Sequence, residues 1–124
     1  MGFNFRKWVR RPLGQKIIGW IFEHMSFAIP VKRLRETPTL LAFHHPQPVY
    51  PLHILLVPKK AIPAFADLGA QDAEFLADLV QTVQSLVEEY HLGQKGYRLV
   101  VNGGKFQEFP QLHFHLISDN QNSE

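Results

Sequence analysis

Two histidines at alternate positions near the end of the chain are the residues best suited to carry chemistry. His113 and His115 lie in the apolar segment 111–118, written QLHFHLIS. Because side chains alternate across a strand, both imidazoles share one face with Gln111, and they lie ~6–7 Å apart along the strand. Imidazole changes its charge near neutral pH, so it can serve as a nucleophile, a proton carrier or a metal ligand.

The pattern alone leaves three interpretations of these histidines open. They can be half-buried structural residues, since a histidine-x-histidine match is a weak signal by itself. They can hold a metal, with His53 supplying a third imidazole as in three-histidine zinc centres. They can also act covalently, because a neutral imidazole attacks phosphorus if a partner holds its far nitrogen.

Length and composition indicate one soluble domain. The chain has 124 residues, 45% of them hydrophobic, and contains no cysteine. Disulfides and thiolate metal sites are therefore excluded, and a cytoplasmic location is expected. No apolar run approaches the roughly 18 residues of a membrane-spanning helix.

Charge is distributed unevenly along the chain. Residues 1–35 hold eight Lys and Arg against Glu23 as their one acid, whereas the remainder is acidic. We expect residues 1–35 to form a basic arm followed by an amphipathic helix from Pro12 to about Ser26. That helix packs on the sheet or on another subunit, or it contacts a membrane or nucleic acid through its basic and aromatic residues.

Hydrophobic patterning predicts one long helix among short strands. The helix covers Gln71–His91, with Gly93 as its stop and Asp67 or Asp72 at its cap. The predicted strands are Thr39–His44, His53–Val57, Tyr97–Val101 and Leu112–Ile117. Short links between these elements favour an antiparallel α+β domain over residues 36–118, followed by a polar tail at 119–124.

Four motifs together resemble the histidine triad, or HIT, superfamily, nearest to its purine-nucleotide phosphoramidases. They are LAFHHP at 41–46, HILLVPKKAI at 53–62, LGQKGYRLVVNGG at 92–104 and QLHFHLI at 111–117. The resemblance implies an antiparallel sheet of about five strands with one long helix. It further implies a purine nucleotide as ligand, no cofactor, no metal and a homodimer that uses the helix and the strand at 97–101.

The same resemblance implies roles for individual residues. His113 matches the nucleophile that attacks the α-phosphorus and becomes a nucleotidyl-histidine, which water then hydrolyses. The other catalytic positions are His115, Gln111 and His53. The nucleotide-binding positions are Phe43, His44, His45, Asn102, Gln107 and Glu108.

Three departures from the family pattern bear on whether the chain can bind a nucleotide and catalyse its hydrolysis. Gln111 replaces the first triad histidine; its amide forms hydrogen bonds but cannot titrate, so activity survives only if that position orients its neighbour. His45 replaces an aspartate that accepts hydrogen bonds from ribose, and Glu108 replaces a serine beside the phosphate.

The alternative to an active hydrolase is a catalytically weak binding or scaffold protein whose basic arm binds an anionic surface. Catalysis also requires the His113 ring to face an open, phosphate-sized hollow.

Overall fold

A five-stranded antiparallel sheet frames the molecule, as the sequence predicts. The computed structural model describes residues 32–107 and 110–119. The strand order is β1-β2-β3-β5-β4. The strands are β1 (Arg33–Glu36), β2 (Leu40–His44), β3 (Leu52–Pro58), β4 (Arg98–Val101) and β5 (Phe114–Ser118). The predicted N-terminal arm and helix, residue Glu108 and most of the polar tail lie outside the described residues.

Strand boundaries differ from the prediction in two instructive places. β1 was not predicted, because its sequence RLRE carries three charges and offers no apolar run. It begins three residues before the domain boundary predicted at residue 36. β5 begins at Phe114, so His113 and Gln111 precede the strand instead of lying within it.

One face of the sheet is covered by the long helix α1 (Ala73–Glu89). Its apolar residues Phe75, Leu79 and Leu86 pack against a core that includes Ile54 and Leu116. Val80 was predicted on this apolar face, but its side chain is 53% exposed. No helix in the described part of the chain is long and apolar enough to cross a membrane.

The C-terminal end of α1 is set by a residue other than the one predicted, whereas Asp72, one of the two predicted cap positions, is the N-cap residue. His91 adopts a left-handed conformation with φ of 57° after the helix, whereas Gly93, the predicted stop, lies inside the short helix α2 (Leu92–Lys95). At the other end, the buried Asp72 carboxylate accepts hydrogen bonds from the Gly69 backbone N–H at 3.0 Å and from Lys60 Nζ at 3.1 Å. The turn between β3 and α1 is therefore tied to the helix by a buried charge.

The two lysines after β3 follow the strand directly, and lysine side chains in such turns are usually solvated. Lys60 instead joins Asp72, and Lys59 Nζ lies 2.7 Å from Glu36 on β1. β4 is an edge strand, and its Leu99 is 42% exposed. Dimer formation through residues 97–101 stays a prediction.

The location of the core can be tested with two leucines that lie directly opposite each other on β4 and β5. Leu99 pairs with Leu116 and shares its side of the sheet, but Leu116 is fully buried. We expect Leu116→Ala to lower the free energy of unfolding by about 2–5 kcal/mol and Leu99→Ala to lower it by less than about 1 kcal/mol. Urea denaturation measures both, and equal losses would contradict this account of the core.

Candidate functional site

Four imidazoles collect on the face of the sheet that points away from α1, here called the histidine face. His53 lies on β3 and His115 on β5, while His45 follows β2 and His113 precedes β5. The His45 and His53 rings stack with centroids 4.2 Å apart. The His115 ring lies 5.2 Å from that of His53 and 5.1 Å from that of His113. The structure therefore brings these four predicted site residues together.

Strand alternation and register produce this cluster. Leu55 pairs with His115, and His53 pairs with Ile117, so both histidines point to the same side of adjacent strands. Their neighbours Ile54 and Leu116 point into the core on the other side. The backbone N–H of His45 donates to the His53 carbonyl at 2.8 Å, which holds the His45 ring over the His53 ring.

The protonation pattern of His113 is fixed by the main chain. Its Nδ1 lies 2.8 Å from the carbonyl oxygen of Gln111. A carbonyl can only accept a hydrogen bond, so Nδ1 must carry the proton in the neutral ring. The lone pair of the neutral His113 ring is thereby placed on Nε2, which is the atom that could attack a phosphorus.

A second main-chain group sets the opposite pattern in His53 and His115. The backbone N–H of Val49 donates to His53 Nδ1 at 3.3 Å. The proton of His53 is therefore on Nε2, which lies 3.0 Å from His115 Nδ1 and donates to it. It follows that His115 carries its own proton on Nε2. His113 and His115 thus offer complementary groups, a lone pair and an N–H donor.

His45 has the same protonation pattern as His115. Its Nδ1 accepts a hydrogen bond from the Gln47 backbone N–H at 2.9 Å, which places the ring proton on Nε2. Burial lowers the pKa of His45 to about 3, with further contributions from His53 and His113. A neutral donor therefore occupies the position at which the resemblance to the HIT superfamily implies an anionic acceptor.

All four rings are buried, and burial keeps them neutral. It lowers the pKa of His53 to about 4 and the pKa of His115 well below its ordinary value. Burial also lowers the pKa of His113, and the hydrogen bond to the Gln111 carbonyl partly opposes that effect. Near pH 7 the cluster consists of uncharged imidazoles, as a nitrogen nucleophile requires.

His113 is buried, whereas an open hollow was expected in front of its ring. The side chain is only 6% exposed. Two cavities among the described residues, of about 240 and 410 Å³, lie elsewhere, one along β4 and β5 near Tyr97 and the other beside Lys60 and α1. A ligand can therefore reach Nε2 only if the chain around the ring moves.

Asn102 and Phe43 are brought to the histidine face. Phe43 pairs with Leu55 in the register that also aligns Leu55 with His115. Val101 pairs with Phe114, so extending this register places Asn102 next to His113. The Asn102 side-chain nitrogen is buried and finds no hydrogen-bond acceptor in the described ranges. It is thus available to a ligand oxygen.

Three other predicted ligand-binding residues are not brought to the cluster. His44 points to the side of α1, where its ring lies 6.4 Å from that of Tyr90. The Gln107 amide donates to the Pro63 carbonyl at 2.8 Å, which ties two loops together. Glu108 lies outside the described residues.

A metal centre receives no support from the part of the chain that the structure describes. No group of three or more histidine, aspartate or glutamate residues there is arranged to hold an ion. His53 Nε2 and His115 Nδ1, which a shared ion would need, are hydrogen-bonded to each other.

The two main-chain groups that orient the rings were not predicted. The Val49 N–H and the Gln111 carbonyl belong to the backbone, so no residue type announces them. The prolines at positions 46, 48 and 51 are the one available signal, because they enforce the turn that returns Val49 to His53.

Stability should fall in acid because two buried rings stay neutral. The folded pKa values of His45 and His53, about 3 and 4, lie below the value near 6.5 expected when unfolded. The unfolded chain therefore binds more protons at pH 5, and each ring costs about 2 kcal/mol of stability there. Denaturant unfolding at pH 7 and pH 5 should show this loss.

Substitution of one ring provides the control for that measurement. His45→Asn keeps an acceptor for the Gln47 N–H but removes the titrating group, so the loss between pH 7 and pH 5 should shrink by about 2 kcal/mol. Equal pH dependence in wild type and His45→Asn would contradict the assignment.

Comparison with known proteins finds consistent similarity. The HIT domain family model matches residues 26–122. An uncharacterized 13.2 kDa HIT-like protein of Azospirillum brasilense is 37% identical over 93 residues, 73% of this chain and 76% of that protein. A HIT family hydrolase of Legionella pneumophila has a similar structure, with a TM-score of 0.68 and 34% identity over 76% of this chain and 86% of that one. A histidine triad nucleotide-binding protein of Candida albicans gives a TM-score of 0.66 and 26% identity over 81% of this chain and 71% of that one.

Proposed function

Because the chain belongs to the HIT domain family, we propose that it binds a purine nucleotide and hydrolyses a nucleoside phosphoramidate or related nucleotide at its α-phosphorus. The structural relatives described as a hydrolase and as nucleotide-binding support a nucleotide-related function. The step to a phosphoramidase depends on the chemistry of the histidine face.

One observation carries this proposal. The 2.8 Å hydrogen bond from His113 Nδ1 to the Gln111 carbonyl leaves the ring's lone pair on Nε2. Burial lowers the pKa of His113, so the ring stays neutral and nucleophilic at physiological pH. The neighbouring His115 ring carries its proton on Nε2 and presents the complementary N–H.

The reaction divides into two displacements at phosphorus. His113 Nε2 forms a bond to the α-phosphorus while the P–N bond of the substrate breaks, and the amine leaves with that electron pair and takes a proton from water. The oxygen of water then attacks the nucleotidyl-histidine, which releases the nucleoside monophosphate and restores the neutral ring. His115 Nε2–H and the Asn102 amide serve as hydrogen-bond donors to the phosphoryl oxygens.

Gln111 fits this mechanism as an orienting residue. The group that holds His113 is its backbone carbonyl, which any residue at this position would supply. Its buried side-chain nitrogen lies 3.4 Å from the Leu112 carbonyl, a weak contact within its own segment. Replacement of the first triad histidine by glutamine is therefore compatible with catalysis.

The roles of positions 113 and 111 can be separated by substitution. We expect His113→Ala to abolish hydrolysis of an adenosine phosphoramidate, with a loss of about 10³-fold or more and no covalent nucleotidyl intermediate. Gln111→Ala keeps the carbonyl and should retain activity within about tenfold of wild type. Steady-state rates and mass spectrometry of the quenched enzyme provide the two measurements.

Two outcomes would contradict these assignments. Equal rates in wild type and His113→Ala would remove the nucleophile. A loss of about 10²–10³-fold in Gln111→Ala would show that hydrogen bonds of its side-chain amide, and not only its backbone carbonyl, are needed for catalysis.

The pH dependence of kcat/KM provides a separate test. Protonation of His113 removes its lone pair, and burial places its pKa below the ordinary value of 6.5. The acidic limb of the profile should therefore have its midpoint below pH 6.5, with no decline between pH 8 and pH 7. A midpoint at or above 6.5 would contradict a buried neutral nucleophile.

A further inference from the structure

A β-bulge in β1 turns two arginines to opposite faces of the sheet. Arg33 and Arg35 are two residues apart and would share a face in a regular strand. The register shifts between them, because Arg33 pairs with Phe43 whereas Arg35 pairs with Ala42. An extra residue in one strand re-aims side chains in this way. Arg33 consequently lies on the histidine face, with Phe43.

The contacts of Arg35 show that its side chain lies on the opposite face of the sheet, toward α1. Its Nε donates to Ser85 Oγ at 2.9 Å and its Nη2 to Glu89 Oε1 at 2.6 Å, both on α1. Its Nη1 donates to the Leu34 carbonyl at 2.9 Å. Arg35 is therefore committed to holding β1 against the helix.

Arg33 belongs to a row of cross-strand neighbours that ends at His115 on the histidine face. The registers align Arg33 with Phe43, Phe43 with Leu55, and Leu55 with His115. Three strand spacings separate Arg33 from His115, or roughly 14 Å between their backbones at ~4.8 Å each. A nucleotide whose phosphorus lies at His113 would extend its base along this row toward β1.

Two guanidinium nitrogens of Arg33, Nε and Nη2, have no hydrogen-bond acceptor among the described residues. Its Nε lies 3.1 Å from Glu36 Oε1 as an ion pair, but Nε and Nη2 are shielded from solvent and form no hydrogen bond within residues 32–107 and 110–119. Glu36 is engaged mainly by Lys59, whose hydrogen bond is the largest cause of its lowered pKa, and Arg33 contributes least. Buried donors without acceptors are costly, so a ligand acceptor is expected there.

We propose that Arg33 reads the base of the bound nucleotide and selects guanine. The inference rests on the proposed function, which places the phosphate at His113. Guanine presents two acceptors, O6 and N7, on one edge and matches the fork of a guanidinium, whereas adenine presents an acceptor beside an amino group. The adjacent Glu36 carboxylate disfavours a second phosphate and favours a neutral acceptor pair.

Equilibrium binding to the full chain tests this inference independently of turnover. The probes are guanosine, inosine and adenosine 5′-monophosphate, measured by titration calorimetry. Inosine retains O6 and N7 and should bind like guanosine, and both should bind about tenfold or more tightly than adenosine. Arg33→Met should remove this preference by weakening the first two probes and leaving the third within about twofold.

Two further variants control for structural effects. Arg33→Lys keeps a positive charge beside Glu36 but lacks the fork, so it should also lose the preference. Arg35→Gln, on the same strand but facing α1, should retain it. A thermal unfolding scan of each variant establishes that it folds.

The outcomes separate the two proposals. Equal affinity for the three probes in wild type, or a preference unchanged in Arg33→Met and Arg33→Lys, would overturn base reading. A dinucleoside polyphosphate that binds more tightly than each monophosphate and loses that advantage in Arg33→Met would place a phosphate at Arg33 and also overturn it. Absence of turnover of a guanosine phosphoramidate would count against the proposed hydrolase but not against the assignment of Arg33.

Discussion

The hydrogen bond from Nδ1 of His113 to the Gln111 carbonyl is the interaction on which the chemistry of the histidine face depends. Without it, the ring could carry its proton on Nε2 and would present a donor, not a nucleophile, to a phosphorus. The Val49 N–H imposes the opposite protonation on His53 and, through it, on His115. Two backbone groups therefore fix which ring offers a lone pair and which offers a proton.

Burial has a benefit and a cost in this arrangement. It keeps the imidazoles neutral, which preserves nucleophilicity, but it makes the folded state sensitive to acid because the same rings charge readily when unfolded. It also covers His113, whose side chain is 6% exposed. For the proposed nucleotide to reach His113, the surrounding chain has to move, and part of the binding free energy would be used for that movement.

Much of the fold could be predicted from the sequence, because continuous apolar runs mark β2 and β3 and helical periodicity marks α1. The alternation in QLHFHLI likewise indicated the shared face of His113 and His115. β1 could not be found in this way, since a short strand with three charged residues has no apolar pattern. Its bulge, which separates the directions of Arg33 and Arg35, depends on pairing with β2 and is invisible to a local pattern.

The sequence identified the histidines that lie together, but it did not identify the backbone groups that orient them. The sequence raised the question of whether Gln111 could replace a histidine, but only the structure shows that its carbonyl is the group in contact with His113. His44 illustrates the reverse case, because a neighbouring position in a strand points to the opposite face. Its proximity in sequence to Phe43 and His45 therefore did not predict a shared site.

Direct observation of the histidine protonation states tests the central claim. Long-range ¹H–¹⁵N correlation spectra of the ¹⁵N-labelled chain at pH 7 distinguish a protonated Nδ1 from a protonated Nε2 in each ring. The account predicts a neutral His113 with its proton on Nδ1, and neutral His53 and His115 with their protons on Nε2. A His113 ring that is charged at pH 7, or that carries its proton on Nε2, would contradict it.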